Sequence, residues 1–398
     1  MSFDSEEEIS FYIHIPFCKQ LCSFCEYTRM ICPDEVMQRQ YVDTIGRDVS
    51  AFVASHGSKM KLRGFDIGGG TPTALSESNL RLLLQTFTAA LGGIDTTPDF
   101  EPSIEGTFNT LTQQKLKDIV GAGIRRLSLG IQSTSREVLC RHHRSHSGIG
   151  DMAYCINTAH AMGIEKVNLD LMYGLKGQTA ETIATDLSAV KTLAPEQVTL
   201  YELRTNMIAS KEIPDKDVLF SQYSRFYDGL TSMGYYARFG QNTFSRSQAD
   251  LGVSSYLRSR MMEGTAYKGF GISAQSMSRH GVAYNVGKSS RNIRDLIGLE
   301  SFAEEFTYML PPSEVASKYI AIAGYNGSVS LKRIKELIGE EGFGTYHHAI
   351  DYLLRNELVS IEADRMHITR KGFRDYGAVF SLLFAPQRQN KYSVKGRK

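Results

Sequence analysis

The stretch FYIHIPFCKQLCSFCEYTRM, residues 11–30, decides how the rest of the chain is read. Its first five residues are aromatic and β-branched, the composition of a strand. Three cysteines follow at once, Cys18, Cys22 and Cys25, spaced CxxxCxxC. A structural zinc site or a fully ligated iron–sulfur cluster takes four protein ligands. Three thiolates on one tight loop instead hold a [4Fe–4S] cluster and leave one iron open. Chance is a poor account of the spacing: with 6 cysteines in 398 residues, two more at fixed offsets from one arise on the order of 0.001 times per chain. Cys32 lies close by but precedes Pro33, outside the compact loop, so a four-ligand zinc site is the weaker reading. Cys140 and Cys155 fall in helical patterns and are expected to be packing residues.

The open iron suits the amino and carboxylate groups of S-adenosylmethionine (SAM). One electron from the cluster then cleaves the C5′–S bond and yields a 5′-deoxyadenosyl radical, chemistry that proteins mainly position. The clustered cysteines speak for reduced thiols in a cytoplasmic setting rather than a disulfide framework. The start, MSFDSEEEIS, lacks the basic-then-apolar layout of a secretory signal, and no run of 18 apolar residues exists. With 45 Lys plus Arg against 43 Asp plus Glu, no polyanion is expected as a partner, and hence no nucleic acid.

Outward from the loop, short β-branched runs alternate with amphipathic stretches over the first 240 residues, the pattern of βα units. Strands are expected at 11–15, 64–67, 103–105, 126–130, 166–172 and 197–203, and helices at 35–52, 78–91 and 112–122. The fold class is α/β: a partial (β/α)6 TIM-like barrel with a smaller C-terminal helical, winged-helix-like domain. In such barrels chemistry gathers where strands end. The expected organisation is a tail at 1–10, the barrel at 11–240, and a barrel extension with the substrate-side segment at 241–310. A winged-helix-like domain follows at 311–385, with helices at 330–338 and 346–356 and a hairpin at 358–369. A basic tail closes the chain at 386–398.

Five strings in order, YIHIPFCKQLCSFC (12–25), DIGGGTPTAL (66–75), SIEGTFNTLT (103–112), RRLSLGIQS (125–133) and NLDLMYGLKGQT (168–179), carry a resemblance. They resemble the oxygen-independent coproporphyrinogen III oxidase family of the radical SAM superfamily, over about residues 11–280. The resemblance implies two SAM molecules. Tyr12, Gly69, Glu105 and the Gln275 position would contact the first. Phe24, Gly70, Thr71, Gln132, Arg144, Asp170 and the Arg204 position would contact the second. Tyr12 and Glu105 are also the candidates for a catalytic role. Each string has its own physical reading. Three glycines at 68–70 let backbone approach a ligand, Glu105 can accept from a ribose diol or ammonium, and Asp170 stands in an otherwise apolar strand where an unpaired carboxylate is costly. Arg144 suits a carboxylate of the second SAM, whereas His142, His143 and His146 read as surface histidines.

Departures from the oxidase are equally specific. Only 17 residues precede Cys18, and Tyr27 stands where the oxidase has a further cysteine. The haem chaperone of the same family has an aromatic residue at that place. Its HN-x-x-YW segment, however, is replaced here by SSYLRSRMMEG (254–264) in a chain without tryptophan. The branch that fits these features best transfers methylene from one SAM to an sp² carbon, giving a C-methyl or cyclopropane product. Tetrapyrrole or haem-related chemistry and haem trafficking are the alternatives. Tyr235, Tyr236, Phe239, Phe244 and Tyr256 are expected round a flat, unsaturated small-molecule substrate. A flavodoxin or ferredoxin is the expected electron donor, and a pathway methyltransferase a further partner.

Overall fold

The computed structural model describes residues 1–203, 214–288 and 292–385. Six parallel strands lie side by side in chain order: β1 (Glu8–Ile15), β2 (Lys61–Gly69), β3 (Ser103–Gly106), β4 (Arg126–Gln132), β5 (Lys166–Tyr173) and β6 (Gln197–Glu202). Helices fill the crossovers: α1 (Glu35–His56), α2 (Glu77–Leu91), α3 (Gln113–Gly121), α4 (Arg136–Arg141), α5 (Ile149–Met162) and α6 (Ala180–Leu193), with α7 (Lys216–Ser232) after β6. Most open on a side chain that accepts from an unpaired N–H of the first turn: Asp34, Ser76, Thr112, Ser135, Thr179 and Asp215. The expected partial barrel is the fold observed.

The sheet does not stop near residue 240. A short antiparallel strand, β7 (Thr243–Ser245), closes the β6 edge. On the other side β8 (Ala266–Phe270) adds a seventh parallel strand beside β1. An antiparallel run, β9 (Gln275–Ser278), β10 (Gly281–Asn285) and β11 (Glu304–Met309), continues the sheet. The expected substrate-side segment is therefore partly sheet. Its Gly- and Ser-rich composition masked strands that pair closely: a Cβ on Gly269 would sit 2.3 Å from the Gln275 carbonyl oxygen.

Alternation along the strands sorts residues onto two faces. Phe11, Ile13, Phe65, Ile67, Ile104, Leu127, Leu129, Val167 and Leu169 turn outward and are buried beneath the helices. Tyr12, His14, Asp66, Glu105, Arg126, Ser128, Asn168 and Asp170 turn into the lumen. Beyond the sheet stand α8 (Pro312–Gly324), β12 (Ser328–Ser330), α9 (Leu331–Gly344), α10 (His347–Arg355) and a hairpin of β13 (Val359–Glu362) and β14 (Arg365–Ile368), with β14 central in a three-stranded sheet. The helices α9 and α10 and the hairpin fall where the sequence pattern put them, whereas α8 and β12 were not expected. The basic tail at 386–398 lies outside the described residues.

Candidate active site

The cysteine loop is pinned at its neck. Phe17–Cys18 pairs in parallel with Met30–Ile31, so the residues between them stand out as one closed loop. His14 Nε2 donates to the Thr28 carbonyl at 2.8 Å, and Arg29 Nη2 to the Cys22 carbonyl at 2.8 Å. His142 ties the loop to the barrel: its carbonyl accepts from Ser23 N (3.2 Å), its Nδ1 lies 3.0 Å from Ser23 Oγ, and its Nε2 accepts from Lys176 N at 3.1 Å. His142 is thus a buried brace and not the surface histidine expected. One histidine among three in a basic run carries no sequence signal for that role.

Cys18 and Cys22 are buried and Cys25 is half-buried. Burial pushes the Cys18 thiol up to about 11 and raises Cys25. Iron binding needs thiolates, and the surroundings supply the offset. Thr71 Oγ1 donates to Cys18 Sγ (3.8 Å), Arg144 Nη1 donates to Cys22 Sγ (3.3 Å), and the Arg29 and Arg144 cations both favour the charged form of Cys25. Such a donor set fits a cluster held by three thiolates. The Cys32 thiol is committed elsewhere, donating to Ala74 O (3.5 Å) and accepting from Gln38 Nε2 (3.4 Å). Among the described residues, no three His, Cys, Asp or Glu side chains converge as they would round a single metal ion. Cys140, expected to pack, is exposed; Cys155 packs against the core.

At the end of β2 the three glycines make room for three different neighbours. A Cβ on Gly68 would stand 2.4 Å from the Glu105 carboxyl, one on Gly69 2.4 Å from the His14 ring, and one on Gly70 2.8 Å from Cys18 Sγ. Gly69 also has φ +116°, a conformation that disfavours any side chain. Its N–H donates to Glu105 Oε2 at 3.1 Å.

The lumen beneath is ionisable. Burial, with Asp170 as the next cause, pushes Glu105 up to about 8. Burial likewise raises Asp66 to about 7 and Asp170 to about 6. Arg126, itself buried, is the one cation that draws all three back, and it does so at a distance: its hydrogen bonds go to Gln197 Oε1 and Ser103 Oγ, both at 2.8 Å. Asp170 accepts from Asn168 Nδ2 (2.8 Å) and from Ser128 Oγ. It is therefore one member of a polar lumen layer rather than an isolated charge in an apolar strand. The signal was there as period-two polar residues, Ser103 with Glu105, Arg126 with Ser128, Asn168 with Asp170.

The other sequence-predicted contacts gather at the same end of the sheet. Gln132 closes β4 with φ 60°, after a bulge, and its Oε1 is buried without a partner. Arg144 Nη2 donates to the Gly130 carbonyl at 2.5 Å, while its Nε is buried and unpartnered. Phe24 packs with Val138, Met172, Leu175 and Leu203 over the ends of the next strands. Tyr12 stacks on Tyr256 (5.4 Å between ring centroids, 21°). Gln275 lies on the far side, its Oε1 accepting from Tyr267 Oη and its Nε2 donating to Tyr284 Oη at 2.5 Å. Arg204 lies outside the described residues.

Of the five aromatics expected round a substrate, only Tyr256 reaches the lumen. Tyr235 donates to Pro195 O at 2.7 Å, Tyr236 is exposed, Phe244 is in the core, and Phe239 packs with Tyr223, Tyr227 and Phe373. Aromatic residues near a chain crossover serve packing before binding, and nothing in their spacing separates the two.

The Radical SAM superfamily model matches residues 12–190. The haem chaperone HemW of Haemophilus influenzae is 31% identical over 235 residues, covering 57% of this chain and 60% of the relative. The oxygen-independent coproporphyrinogen III oxidase of Salmonella typhimurium is 29% identical over 300 residues, covering 70% of this chain and 64% of that protein. This chain thus spans less than two thirds of either relative's length. The solved structure of coproporphyrinogen III oxidase (HemN) from Escherichia coli superposes with a TM-score of 0.76 at 22% identity, over 95% of this chain and 90% of that one. The chain is thus similar to the radical SAM superfamily over residues 12–190 and, in fold, to the HemN structure. The expected methylene-transferring branch gains no support, since these relatives are named for haem and porphyrinogen.

Proposed function

We propose that this chain is a radical SAM enzyme acting on a haem-related tetrapyrrole. The substrate class follows the haem- and porphyrinogen-named relatives, and one observation carries the radical SAM chemistry. Cys18, the Gly69 and Gly70 backbone, the Glu105 carboxyl, and the orphaned Gln132 Oε1 and Arg144 Nε are linked by contacts at one end of a parallel sheet whose lumen is polar. Cys18, Cys22 and Cys25 would hold the cluster. Tyr12, Gly69, Glu105 and Gln275 would line the first SAM; Phe24, Gly70, Thr71, Gln132, Arg144, Asp170 and Arg204 would line a second. When bound, the cluster and SAM supply one-electron cleavage of the C5′–S bond. The protein's own part is to hold and orient. Glu105, with its carboxyl pushed up to about 8, keeps a proton at neutral pH and can donate as well as accept at a ribose diol. Arg144, bridging Gly130 O and Cys22 Sγ, couples the position of the loop to that of β4. A flavodoxin or ferredoxin suits the electron supply.

The test uses anaerobically reconstituted protein, dithionite, methyl-deuterated SAM, and either coproporphyrinogen III or haem. Formation of 5′-deoxyadenosine should rise when a tetrapyrrole is added, with no deuterium in the nucleoside. Deuterium there would turn the reading to methylene transfer. Haem binding with no SAM cleavage would turn it to trafficking.

A further inference from the structure

Resting on the tetrapyrrole reading above, we infer that Arg260 binds a carboxylate of the substrate on the β1–β8 side of the lumen. Residues 254–264 hold a short helical turn, Ser255–Leu257, that runs into one turn of π-helix, Arg258–Glu263. Such turns are uncommon and concentrate at functional sites. The segment is fixed against the strands: Ser254 Oγ donates to Asp66 Oδ2 at 2.6 Å, Ser259 Oγ lies 2.6 Å from Ser10 Oγ, and a Cβ on Gly64 would stand 2.2 Å from Tyr256 N.

The two arginines of this turn are treated differently. Arg258, on the outside, pairs with Asp99 and Glu263, and Glu263 and Asp99 also pair with Arg63. Arg260, two residues on, turns inward and forms no ion pair with any described residue. Its guanidinium lies over the rings of Tyr267 (4.8 Å) and Tyr256 (5.9 Å), donates weakly to Tyr256 Oη (3.4 Å), and keeps Nε buried without a partner. Carboxylates stood within reach of the same turn and were spent on its other face. A desolvated guanidinium lacking a counter-charge is costly, and here it is aimed by two aromatic rings and backed by the stacked Tyr12–Tyr256 pair. A planar ligand bearing a carboxylate supplies what is missing, a charge-assisted fork on the guanidinium and a flat face for the rings. Asp66 feels the Arg260 charge but makes no ion pair with it: its hydrogen bond goes to Ser254, and its Oδ1 is itself orphaned.

The experiment titrates reconstituted full-length protein with iron protoporphyrin IX and with its dimethyl ester, following absorbance. Wild type should prefer the free acid by about 10-fold or more, the scale of one charge-assisted pair. Arg260→Gln should bind the acid about 10- to 100-fold more weakly while its affinity for the ester is unmoved, and Arg260→Lys should keep part of the preference. Iron content reports whether each variant has folded round its cluster. The wild-type acid-to-ester ratio needs no variant, so equal binding of the two forms overturns the assignment by itself. So does an unchanged preference in Arg260→Gln; if tetrapyrrole still stimulates SAM cleavage, the proposed function survives and only the role of Arg260 falls. Wild type that binds neither form overturns the assignment of Arg260, and the tetrapyrrole reading falls with it only if coproporphyrinogen III also leaves SAM cleavage unchanged.

Discussion

In β2, Phe65 and Ile67 turn toward the helices and have no exposed surface, while Asp66 and Gly68, their immediate neighbours, turn into the lumen. The same division runs through β4 and β5, with Leu127 and Val167 outward, Arg126 and Asn168 inward. The outward face removes apolar surface from water at about 25 cal/mol per Å² and meets rings at close range, as where Phe65 meets Phe11 and Phe87 edge-on. The inward face does the opposite, burying three carboxyls around one shared arginine at a cost to stability. The lesson is a division of labour at one-residue spacing: the outer layer holds the sheet, so the inner layer is free to be chemically strained.

The largest test of that division lies at the mouth of the lumen. Replacing Cys18, Cys22 and Cys25 together by alanine should abolish the visible and spin-resonance signals of a reduced cluster, and with them 5′-deoxyadenosine formation. With both proteins free of cluster, the unfolding transition should shift little, because none of the three cysteines belongs to the packed apolar core. Signals that persist in the triple variant would end the cluster assignment. Next comes Gly70→Ala, whose Cβ would lie 2.8 Å from Cys18 Sγ and 2.9 Å from the Ile15 carbonyl oxygen. Iron uptake or SAM cleavage should fall roughly tenfold or more, as expected when a reacting group is misplaced by about 1 Å. Gly121→Ala, at the end of α3 with nothing within 4 Å, should instead raise the melting temperature slightly through helix propensity. If the two alanines behave alike, the glycines of β2 are ordinary turn residues.

The comparison sharpens with one substitution on each face. Phe65→Ala should cost about 3–5 kcal/mol in chemical unfolding, the range for a fully buried aromatic. Asp170→Asn removes a charge that pushes Glu105 up, so stability should hold or rise by about 1 kcal/mol, while SAM-dependent turnover drops. A loss of stability at Asp170 comparable to that at Phe65 would mean that the lumen layer is structural after all.

How much of this was readable beforehand follows from the physics of each signal. The βα pattern, the caps and the cysteine loop were legible because they are local: a period, a side chain two or three residues from the N–H it satisfies, a tight spacing. Glu105, Gln132, Arg144 and Asp170 were placed by resemblance, and the structure brings the first three to one mouth and Asp170 to the layer below. His142, Arg126 and Arg260 were missed. His142 and Arg126 take their roles from partners 23 to 119 positions away, as Arg126 does with Ser103 and Gln197, and no local pattern encodes such a meeting; Arg260 meets Tyr256 and Tyr267 nearby, but nothing in the spacing says that it turns inward. Four of the five aromatics failed for the converse reason, since a ring looks the same in a core as in a pocket. The seventh parallel strand was hidden by glycines that close packing requires.

The smallest expected effect is a slope. Glu105, Asp66 and Asp170 titrate near 8, 7 and 6 in the folded chain, against about 4 for an unfolded carboxyl. Between those values the native state keeps a proton that the unfolded chain has lost, so stability is fully present at low pH and declines as pH rises through the folded values. His14 has the opposite sign: burial lowers it to about 4 from 6.5, so it adds stability as pH rises, and only up to about 6.5. The window from about pH 6.5 to 8 is therefore clean, with Asp66 and Glu105 as the lumen groups still titrating. There, cluster-free protein in urea should lose up to about 1.4 kcal/mol per pH unit for each of them. Glu105→Gln should flatten the upper part of that window and leave the decline near pH 6.5 in place. A wild-type stability that climbs from pH 6.5 to 8 would show that the lumen carboxyls are ordinary, and the contrast between the two faces would lose its electrostatic half.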